Sequence, residues 1–538
     1  MGIRVLLVGY WLWAGAGAAA QVGRVDTVGG TTYDWQMGGP AYRWLVDAPG
    51  YGIPVCWIRS RDTLSAFPDR NTGYNYYDYA TRRWLGNDTL DFMNSGTDAF
   101  ATRAGFGTLD VDPRSWQAVI SAHTGIPLRP VLGREVGHGS FVFEYAGGSP
   151  KLEGFSRPVT VVDTAGWIQA ALFDDTGGKV YHVRSRIWEQ WDSARAIAAP
   201  EPDPGFPCHH IAASRVNHRV ALTWVYTESV PSPGYYRETT DGGCTWPEPQ
   251  ELGWPPAFSG ETLPSYHLSG LFPFYDREGR FHIVCAVMPC IRGQCFVAPT
   301  ELWHWDRENL PQWTRIARAQ ADPLNLSAPV GFNALLACRP SMGEDRNGGL
   351  HVCWEQFDTA NVEPGPPARL RADIWWCRDN LDRGASWQQP VRLTEPNTTS
   401  KRFPCVIDRM NEDTLRVLYL VDIVAGFFVY GEGPVTRNPL VVQHVPITAG
   451  AVAEERYAQY AVRNTPGPTI VRGSLFLPSA LLSTRYSLLT PDGRKVMELQ
   501  PGKNDLRNLA PGVYFVREEG SRGQNVGDSA IRKVVVAD

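Results

Sequence analysis

The sequence predicts an all-β protein, and its composition carries that prediction. Its 538 residues include 53 Gly and 42 Pro, which favour frequent turns, and no stretch shows the period of a strong amphipathic helix. The 20 Trp, 21 Tyr and 21 Phe favour sheets, in which aromatic rings pack across neighbouring strands. A chain of this length with 43% hydrophobic residues can bury a large core, so we expect two or more units.

An internal repeat predicts how the strands are arranged up to residue 448. Each unit holds about four short strands, as a propeller blade does. Radial closure also explains how so many strands avoid long exposed edges. Seven blades are favoured, and six are the alternative because the first unit is poorly marked. The units begin near Tyr42, Arg103, Arg157, His209, Ser269, Phe332 and Arg402.

Two turns in this region share a pattern that builds a turn rather than a catalyst. TTDGGCTW ends at Trp246, and NLDRGASW ends at Trp387. A carboxylate can accept backbone N–H bonds across such a turn, Gly can take a positive φ, and Trp can bury a large ring. The residues concerned are Asp241, Gly243, Thr245, Trp246, Asp382, Gly384, Ser386 and Trp387. Both turns resemble the Asp-box (BNR repeat) of sialidase-like β-propellers, which implies positions on the outer rim.

That resemblance makes glycoside hydrolysis one hypothesis for the chain. A sialidase needs arginines for the substrate carboxylate, a Tyr nucleophile assisted by Glu, and an acid for proton transfer. When the units are aligned, five polar residues fall at the start of the innermost strand near one end of the channel: Arg103, Arg157, His209, Asn333 and Arg402. They are candidate ligand-binding residues, although charged residues also commonly rim a solvated channel.

The sequence contains no complete catalytic constellation, so whether the protein is an enzyme stays open. No Tyr can be paired with a Glu from sequence alone, and Glu355 is either an acid–base candidate or an ordinary strand residue. There is no HExxH, P-loop or G-x-S-x-G pattern, and no Cys/His cluster has zinc-ligand spacing. We therefore expect no metal and no cofactor. The formal net charge of −5 argues against nucleic acid as a main partner.

The first twenty residues have the layout of a secretory signal peptide. Arg4 precedes an apolar run over 5–16, and Ala18 and Ala20 form an A-x-A cleavage site. The apolar core is too short for a permanent membrane span, and no other segment approaches about 18 uninterrupted apolar residues. We therefore expect an exported chain with no transmembrane span after cleavage.

The last 75 residues or so alternate short strand patterns with turns about every ten residues, which predicts a small antiparallel sandwich. They contain DGRKV, PGKNDL, LAPGVYFVR and a terminal KVVV. This stretch resembles the C-terminal (type A) sorting domain of type IX secretion substrates, which implies the type IX machinery as a partner and a place outside the cell or on the outer-membrane surface. The matched motif residues are Asp492, Gly493, Arg494, Pro511, Gly512 and Tyr514.

Ten cysteines in an exported chain invite disulfides, but their spacing is not that of a small stapled domain. Cys290 and Cys295 flank a short turn and are placed to bridge a hairpin, whereas Cys56, Cys285 and Cys353 sit inside strand patterns as small buried hydrophobes.

The sequence thus predicts a signal peptide (1–20), a β-propeller (21–448), a linker (449–465) and a sorting sandwich (466–538). The favoured function is binding of a carbohydrate or protein ligand through the channel end or its loops. The alternatives are a sialidase-like glycoside hydrolase and a structural surface protein.

Overall fold

The strands are laid out in two separate units, residues 1–450 and 451–538. The computed structural model describes residues 21–37, 43–146, 152–176, 178–187, 190–191, 195–198, 209–225, 233–258, 265–291, 294–321, 326–365, 367–447, 469–471, 474–477, 485–490, 494–500, 502–519 and 531–536. Ala18, Ala20, the linker at 449–465, Asp492 and Gly493 lie outside these residues. The described part contains no α-helix, which confirms the all-β prediction.

The first unit consists of strands that form seven antiparallel sheets, numbered here in chain order. Sheet 7 also takes up the first strand, β1 (Arg24–Thr31). The strands of sheet 1 are β2 (Gly52–Arg59), β3 (Asn71–Asp78), β4 (Arg83–Trp84) and β5 (Thr97–Asp98). Those of sheet 2 are β6 (Ala104–Val111), β7 (Ala118–Thr124), β8 (Arg129–Glu135) and β9 (Phe143–Ala146). Those of sheet 3 are β10 (Phe155–Val162), β11 (Ile168–Asp174), β12 (Val180–Ile187), β13 (Gln190–Trp191) and β14 (Arg195–Ala198).

In the remaining four sheets, as in the first three, most strands pair with a neighbour in sequence. Sheet 4 has β15 (His209–Ala213), β16 (Val220–Val225), β17 (Gly234–Thr239) and β18 (Gln250–Glu251). Sheet 5 has β19 (Ser265–Tyr275), β20 (Phe281–Ile291), β21 (Gln294–Cys295), β22 (Thr300–Trp305) and β23 (Trp313–Ala319). In this sheet β22 pairs with β20 rather than with β21. Sheet 6 has β24 (Ala337–Glu344), β25 (Leu350–Glu363), β26 (Arg369–Arg378) and β27 (Val391–Arg392). Sheet 7 has β28 (Ser400–Val406), β29 (Thr414–Asp422) and β30 (Asn438–Pro446).

The two ends of the first unit meet in sheet 7, which has the order β1-β30-β29-β28. The first described strand therefore supplies the outer strand of sheet 7. The Trp44 amide also donates to the Cys405 sulfur at 3.2 Å, and the Asp47 amide donates to the Asp408 carboxylate at 2.9 Å. This closure confirms the predicted β-propeller. Seven is also the number of units read in the sequence, and we keep seven blades as the interpretation of these sheets.

Both turns that resemble an Asp-box lie between the third and fourth strands of their sheets and dock on the preceding sheet. Asp241 accepts the Thr245 amide at 3.0 Å, and Asp382 accepts the Ser386 amide at 3.0 Å. Although partial burial opposes it, hydrogen bonds from Thr239 and Thr245 lower the pKa of Asp241 to about 2.

The Asp-box tryptophans reach histidines and hydroxyls of the neighbouring sheet. Trp246 donates to His182 at 3.2 Å, and Trp387 donates to the Thr314 hydroxyl at 3.2 Å while its ring lies edge-on to His304. The boxes therefore join neighbouring sheets as well as building their own turns.

The second unit holds a five-stranded sheet of order β31-β37-β36-β33-β34 and a separate β32–β35 pair. The pairing of β31 with β37 is parallel, so the expectation of a purely antiparallel arrangement is wrong at this edge. The long connection between these two strands allows them to run side by side in one direction. Packing of the two sheets as a sandwich stays a prediction. The strands are β31 (Thr469–Val471), β32 (Ser474–Leu477), β33 (Arg485–Leu489), β34 (Lys495–Leu499), β35 (Gly502–Asp505), β36 (Gly512–Glu519) and β37 (Ile531–Val536).

The described residues of the predicted sorting motif lie beside strands of the second unit. The Arg494 amide donates to the Thr490 hydroxyl at 3.2 Å and closes the turn before β34. Pro511 is exposed, Gly512 opens β36, and the Tyr514 hydroxyl donates to the Ala510 carbonyl at 2.8 Å. Tyr514 also belongs to the small core of this unit.

Cys290 and Cys295 form a disulfide, as their placement around a short turn suggested. Cys56, Cys285 and Cys353 are buried thiols. No helix among the described residues is long and apolar enough to cross a membrane.

Candidate functional site

The two ends of the innermost strands differ in the residues that gather there. Where these strands end, ion pairs fill the space: Arg215 pairs with Asp110 and lies 4.0 Å from Asp408, and Arg409 lies 2.8 Å from Glu344. Where they begin, aromatic rings and arginines gather. We call this second end the mouth, lined by the segments 33–37, 66–70, 103–106, 332–339 and 427–430 and by Arg157 and Arg402.

The inner strands share a local distortion close to the mouth. Five of them contain a register shift typical of a β-bulge. A residue within each shift has a positive φ: Phe106 (52°), Arg157 (48°), Gly270 (66°), Arg339 (55°) and Phe403 (58°). A bulge re-aims a side chain out of the regular alternation of a strand, and such bulges are common beside functional sites.

Three of these bulges carry a sequence signal that the repeat analysis missed. SRP (156–158), CRP (338–340) and RFP (402–404) all place Arg or Phe before Pro near the start of an inner strand. The proline lacks an N–H and so marks a break in the ladder. Aligning the units on this Pro would have identified Arg339, which was not among the candidate residues.

Trp35 is the centre of an aromatic cluster at the mouth. It is 1% exposed and follows β1. Its ring meets those of Phe332, Phe403, Phe427 and Tyr430 edge-on, with centroids 5.0–5.6 Å apart. Edge-to-face packing of this kind fixes ring orientation as well as burying area. Because Trp35 follows β1, the strand that closes the ring of sheets also positions the aromatic cluster of the mouth.

Above Trp35, two rings form an exposed aromatic step. Phe332 and Tyr430 are stacked, with centroids 3.7 Å apart and planes 21° apart. They are 38% and 40% exposed, although Trp35 packs beneath both. We call this pair the aromatic step.

The turn that carries Tyr430 is held by a buried carboxyl. Phe428–Tyr430 form a single 3-10 turn, and the amides of Phe428 and Val429 both donate to Asp34. Burial raises the pKa of Asp34 to about 6, although these bonds oppose that shift. Asp34 is 1% exposed, so its role is to position the turn rather than to meet a ligand.

An ion cluster lies beneath the aromatic rings. Glu355, fully buried on β25, binds the guanidinium of Arg339 and that of Arg402, the latter at 3.2 Å, and accepts the Phe403 amide at 2.7 Å. Burial opposes ionisation, yet the pKa of Glu355 is lowered because both guanidinium groups favour the carboxylate. Glu355 is therefore a structural anion, not a free acid or base.

The opposite side of the mouth is basic. Arg70 lies over the rings of Tyr33 and Phe106, 5.3 and 5.4 Å from their centroids. Arg103 donates to the backbone carbonyl groups of Phe67 and Ala66. Among the described residues, no carboxylate lies within ion-pair distance of Arg70 or Arg103.

The pKa of His123 is affected by the arginines on this side of the mouth. Burial, with Arg70, Arg157 and Arg103 nearby, lowers the pKa of His123 to about 3. The neutral ring accepts the Arg157 amide at 3.1 Å. Tyr430 belongs to the same neighbourhood, because burial raises its pKa while Tyr33 adds to that shift and Arg157 opposes it.

The five candidate residues lie around one mouth, but they do not form one binding cluster. Arg103 is exposed, and Arg157 pairs with Asp175 at 3.0 Å. Arg402 is 1% exposed and forms an ion pair with Glu355. Asn333 is exposed and its backbone carbonyl accepts Arg339. His209 is buried, and burial lowers its pKa to about 4.

The geometry that a sialidase would need is not assembled at the mouth by the described residues. The three candidate arginines have separate partners and do not converge. The described part of the chain has two Tyr–Glu hydrogen bonds, Tyr74–Glu135 at 2.7 Å and Tyr275–Glu238 at 2.8 Å. Tyr275 and Glu135 are the last residues of β19 and β8, at the far ends of their sheets from the mouth. No group of three metal-ligating side chains occurs in the described part of the chain.

No protein-family model matches the chain, and no curated protein matches it. Solved structures that it resembles include the polysaccharide lyase Uly1, with 9% identity over 79% of this chain and 100% of that chain and a TM-score of 0.43. An α-L-arabinanase from Penicillium chrysogenum has 11% identity over 80% of this chain and 98% of that chain, with a TM-score of 0.38. The Hadza microbial sialidase Hz136 has 12% identity over 76% of this chain and 66% of that chain, with a TM-score of 0.34. At these values the likeness assigns no ligand and no activity.

Proposed function

We propose that the protein is an exported carbohydrate-binding β-propeller whose ligand sits at the mouth. The aromatic step carries this proposal, because two large rings are held exposed by Trp35 and by the turn that Asp34 caps. A flat, rigid aromatic surface suits the C–H face of a sugar ring, while nearby polar groups suit its hydroxyls.

The charges around the aromatic step favour an acidic saccharide as the ligand. Arg70 and Arg103 lie on the basic side without a carboxylate partner in the described part of the chain, whereas Glu355 is already neutralised by two guanidinium groups. A guanidinium fork matches a carboxylate in shape and charge. A uronic or sialic acid residue would supply both the carboxylate and the ring.

We expect Tyr430→Ala to weaken binding of polygalacturonate or a sialylated oligosaccharide about tenfold, the effect of losing one well-placed aromatic contact. Affinity gel electrophoresis and glycan-array binding measure this loss. Tyr51→Ala is the matched control, because Tyr51 is 46% exposed and stacks on His138 at the other end of sheet 1. Equal binding by both variants and the unaltered protein would contradict the site.

The same experiment separates the alternatives. Arg103→Gln should reduce binding of acidic saccharides while leaving that of neutral ones unchanged, since it removes the positive charge, and the bonds that it also removes join Arg103 only to the protein's own backbone. Turnover of a fluorogenic sialoside by the unaltered protein would favour the sialidase-like hydrolase. Failure of every saccharide to bind or react would leave a protein ligand or a structural surface role.

For export, the support is the signal-peptide layout of residues 1–20 and the sorting-domain motifs, whose Arg494 and Pro511 directly precede strands and whose Gly512 and Tyr514 lie within β36. We expect residues 449–538, fused behind a secretory signal and a fluorescent protein, to carry the reporter out of a type IX-competent host. A fusion lacking 509–538 is the control and should remain in the periplasm. Periplasmic retention of the complete fusion would contradict the address.

A further inference from the structure

A groove lies on sheet 6, lined by other residues than those of the aromatic step. Two clefts there, about 440 and 200 Å3 in volume, share Asp358 as a wall residue, and we call them together the groove. It runs from Asn397, in the loop before β28, past Asp358 to Gln320, just after β23. The segments 359–363 and 332–333 both lie at the edge of sheet 6 where β24 begins, so the groove opens toward the same face as the mouth.

The charges in the groove are paired with one another. Asp358 lies 3.2 Å from Arg392, and Arg371 lies 2.8 Å from Glu363 while donating to the Asn361 amide oxygen at 2.9 Å. Because each charge has an internal partner, the groove offers hydrogen-bonding groups without a surplus of either sign. This differs from the basic side of the mouth and favours a neutral ligand.

Two glutamines are arranged so that their NH2 groups are the available donors. The Gln320 oxygen accepts Arg318 at 2.8 Å, and the Gln356 oxygen accepts Trp354 at 3.1 Å. The NH2 group of neither glutamine has a hydrogen-bond acceptor among the described residues. The half-buried Trp375 and the buried Leu336 supply the apolar part of the same wall.

We propose that this groove is a subsite for a neutral saccharide unit, with Trp375 meeting its apolar face and Gln320, Gln356 and Asp358 meeting its hydroxyls. An aromatic wall with a few fixed polar groups is the usual composition of such a site. This inference rests on the proposal that the protein binds saccharides. It adds a second site, on sheet 6, that contacts a polymer bound at the mouth. Two linked contacts raise the affinity for a polymer above that for either unit.

The test uses the full chain and affinity gel electrophoresis with two probes, the neutral polymer arabinan or galactan and the acidic polymer polygalacturonate. We expect Gln320→Ala and Trp375→Leu to weaken retardation by a neutral polymer about tenfold and to change retardation by polygalacturonate less than twofold. Tyr430→Ala should show its largest effect on polygalacturonate. Gln320 is exposed, so Gln320→Ala keeps the test valid if Trp375→Leu does not fold.

Gln312→Ala is the matched control, because Gln312 is exposed in the turn before β23, at the other end of the strand that leads to Gln320. If no neutral polymer binds, or if neutral binding is lost in Tyr430→Ala but kept in Gln320→Ala, the groove proposal is overturned, and the mouth proposal stands as long as polygalacturonate still binds. If neutral binding depends on Gln320 and polygalacturonate does not bind, the groove stands and the mouth proposal fails.

Discussion

Replacing Glu355 by Gln should lower the free energy of unfolding by about 3–5 kcal/mol, the usual cost of removing one partner from a buried ion pair. The substitution keeps the shape of the side chain but leaves the guanidinium groups of Arg339 and Arg402 without their anion. These groups are 5% and 1% exposed, so water cannot replace the lost carboxylate. Chemical denaturation followed by tryptophan fluorescence measures the change.

The matched control for Glu355→Gln is Asp413→Asn. Asp413 pairs with Arg346 at 2.7 Å, but both side chains are more than half exposed. A surface pair of this kind contributes at most about 1 kcal/mol. Similar losses in the two variants would show that the ion cluster does not support the mouth. A loss of saccharide binding in Glu355→Gln at temperatures where it remains folded would show that the cluster also orients the rings above it.

We expect Gly384→Ala to destabilise the protein by about 2–4 kcal/mol, because two penalties add. Gly384 has a φ of 76°, a conformation that costs a side-chain-bearing residue about 1 kcal/mol or more. A Cβ there would also lie 2.3 Å from His304 of the neighbouring sheet, which forces overpacking. The turn would have to withdraw from sheet 5, and thermal unfolding by calorimetry measures the loss.

Gly253→Ala separates the two penalties of the preceding substitution. Gly253 has a φ of 69°, yet nothing lies within 4 Å of its added Cβ. This control should therefore lose only the backbone contribution, about 1 kcal/mol. If Gly384→Ala is no worse than Gly253→Ala, the Asp-box turn does not lock neighbouring sheets together.

The sequence predicted the repeat well where each unit carries its own full set of strands. The weakest unit, near Tyr42, is also the least regular in the structure. Its segment 45–48 pairs with β2 only through the isolated bridges Leu45–Val55 and Ala48–Gly52. The alternation that identifies a strand is short there, so local pattern gave little signal.

The contacts made by the charged residues at the mouth were not predicted from the sequence. Aligning the starts of the inner strands found Arg157 and Arg402 but took both as ligand-facing. In the structure, Arg402 forms an ion pair with Glu355, and Arg157 forms one with Asp175. A sequence does not show whether an arginine is held in an internal ion pair or faces solvent, because that depends on how neighbouring sheets pack.

Composition, turn residues and repeat spacing by themselves determined that this chain is all-β, folds as a propeller and ends in a separate strand-rich unit. These properties follow from local preferences that each repeat expresses alone. Tertiary structure decided that β1 closes sheet 7 and brings Asp34 and Trp35 under the rings of Phe332 and Tyr430. Residues about 300 to 400 positions apart meet there only because the ring closes, and no local pattern encodes that contact.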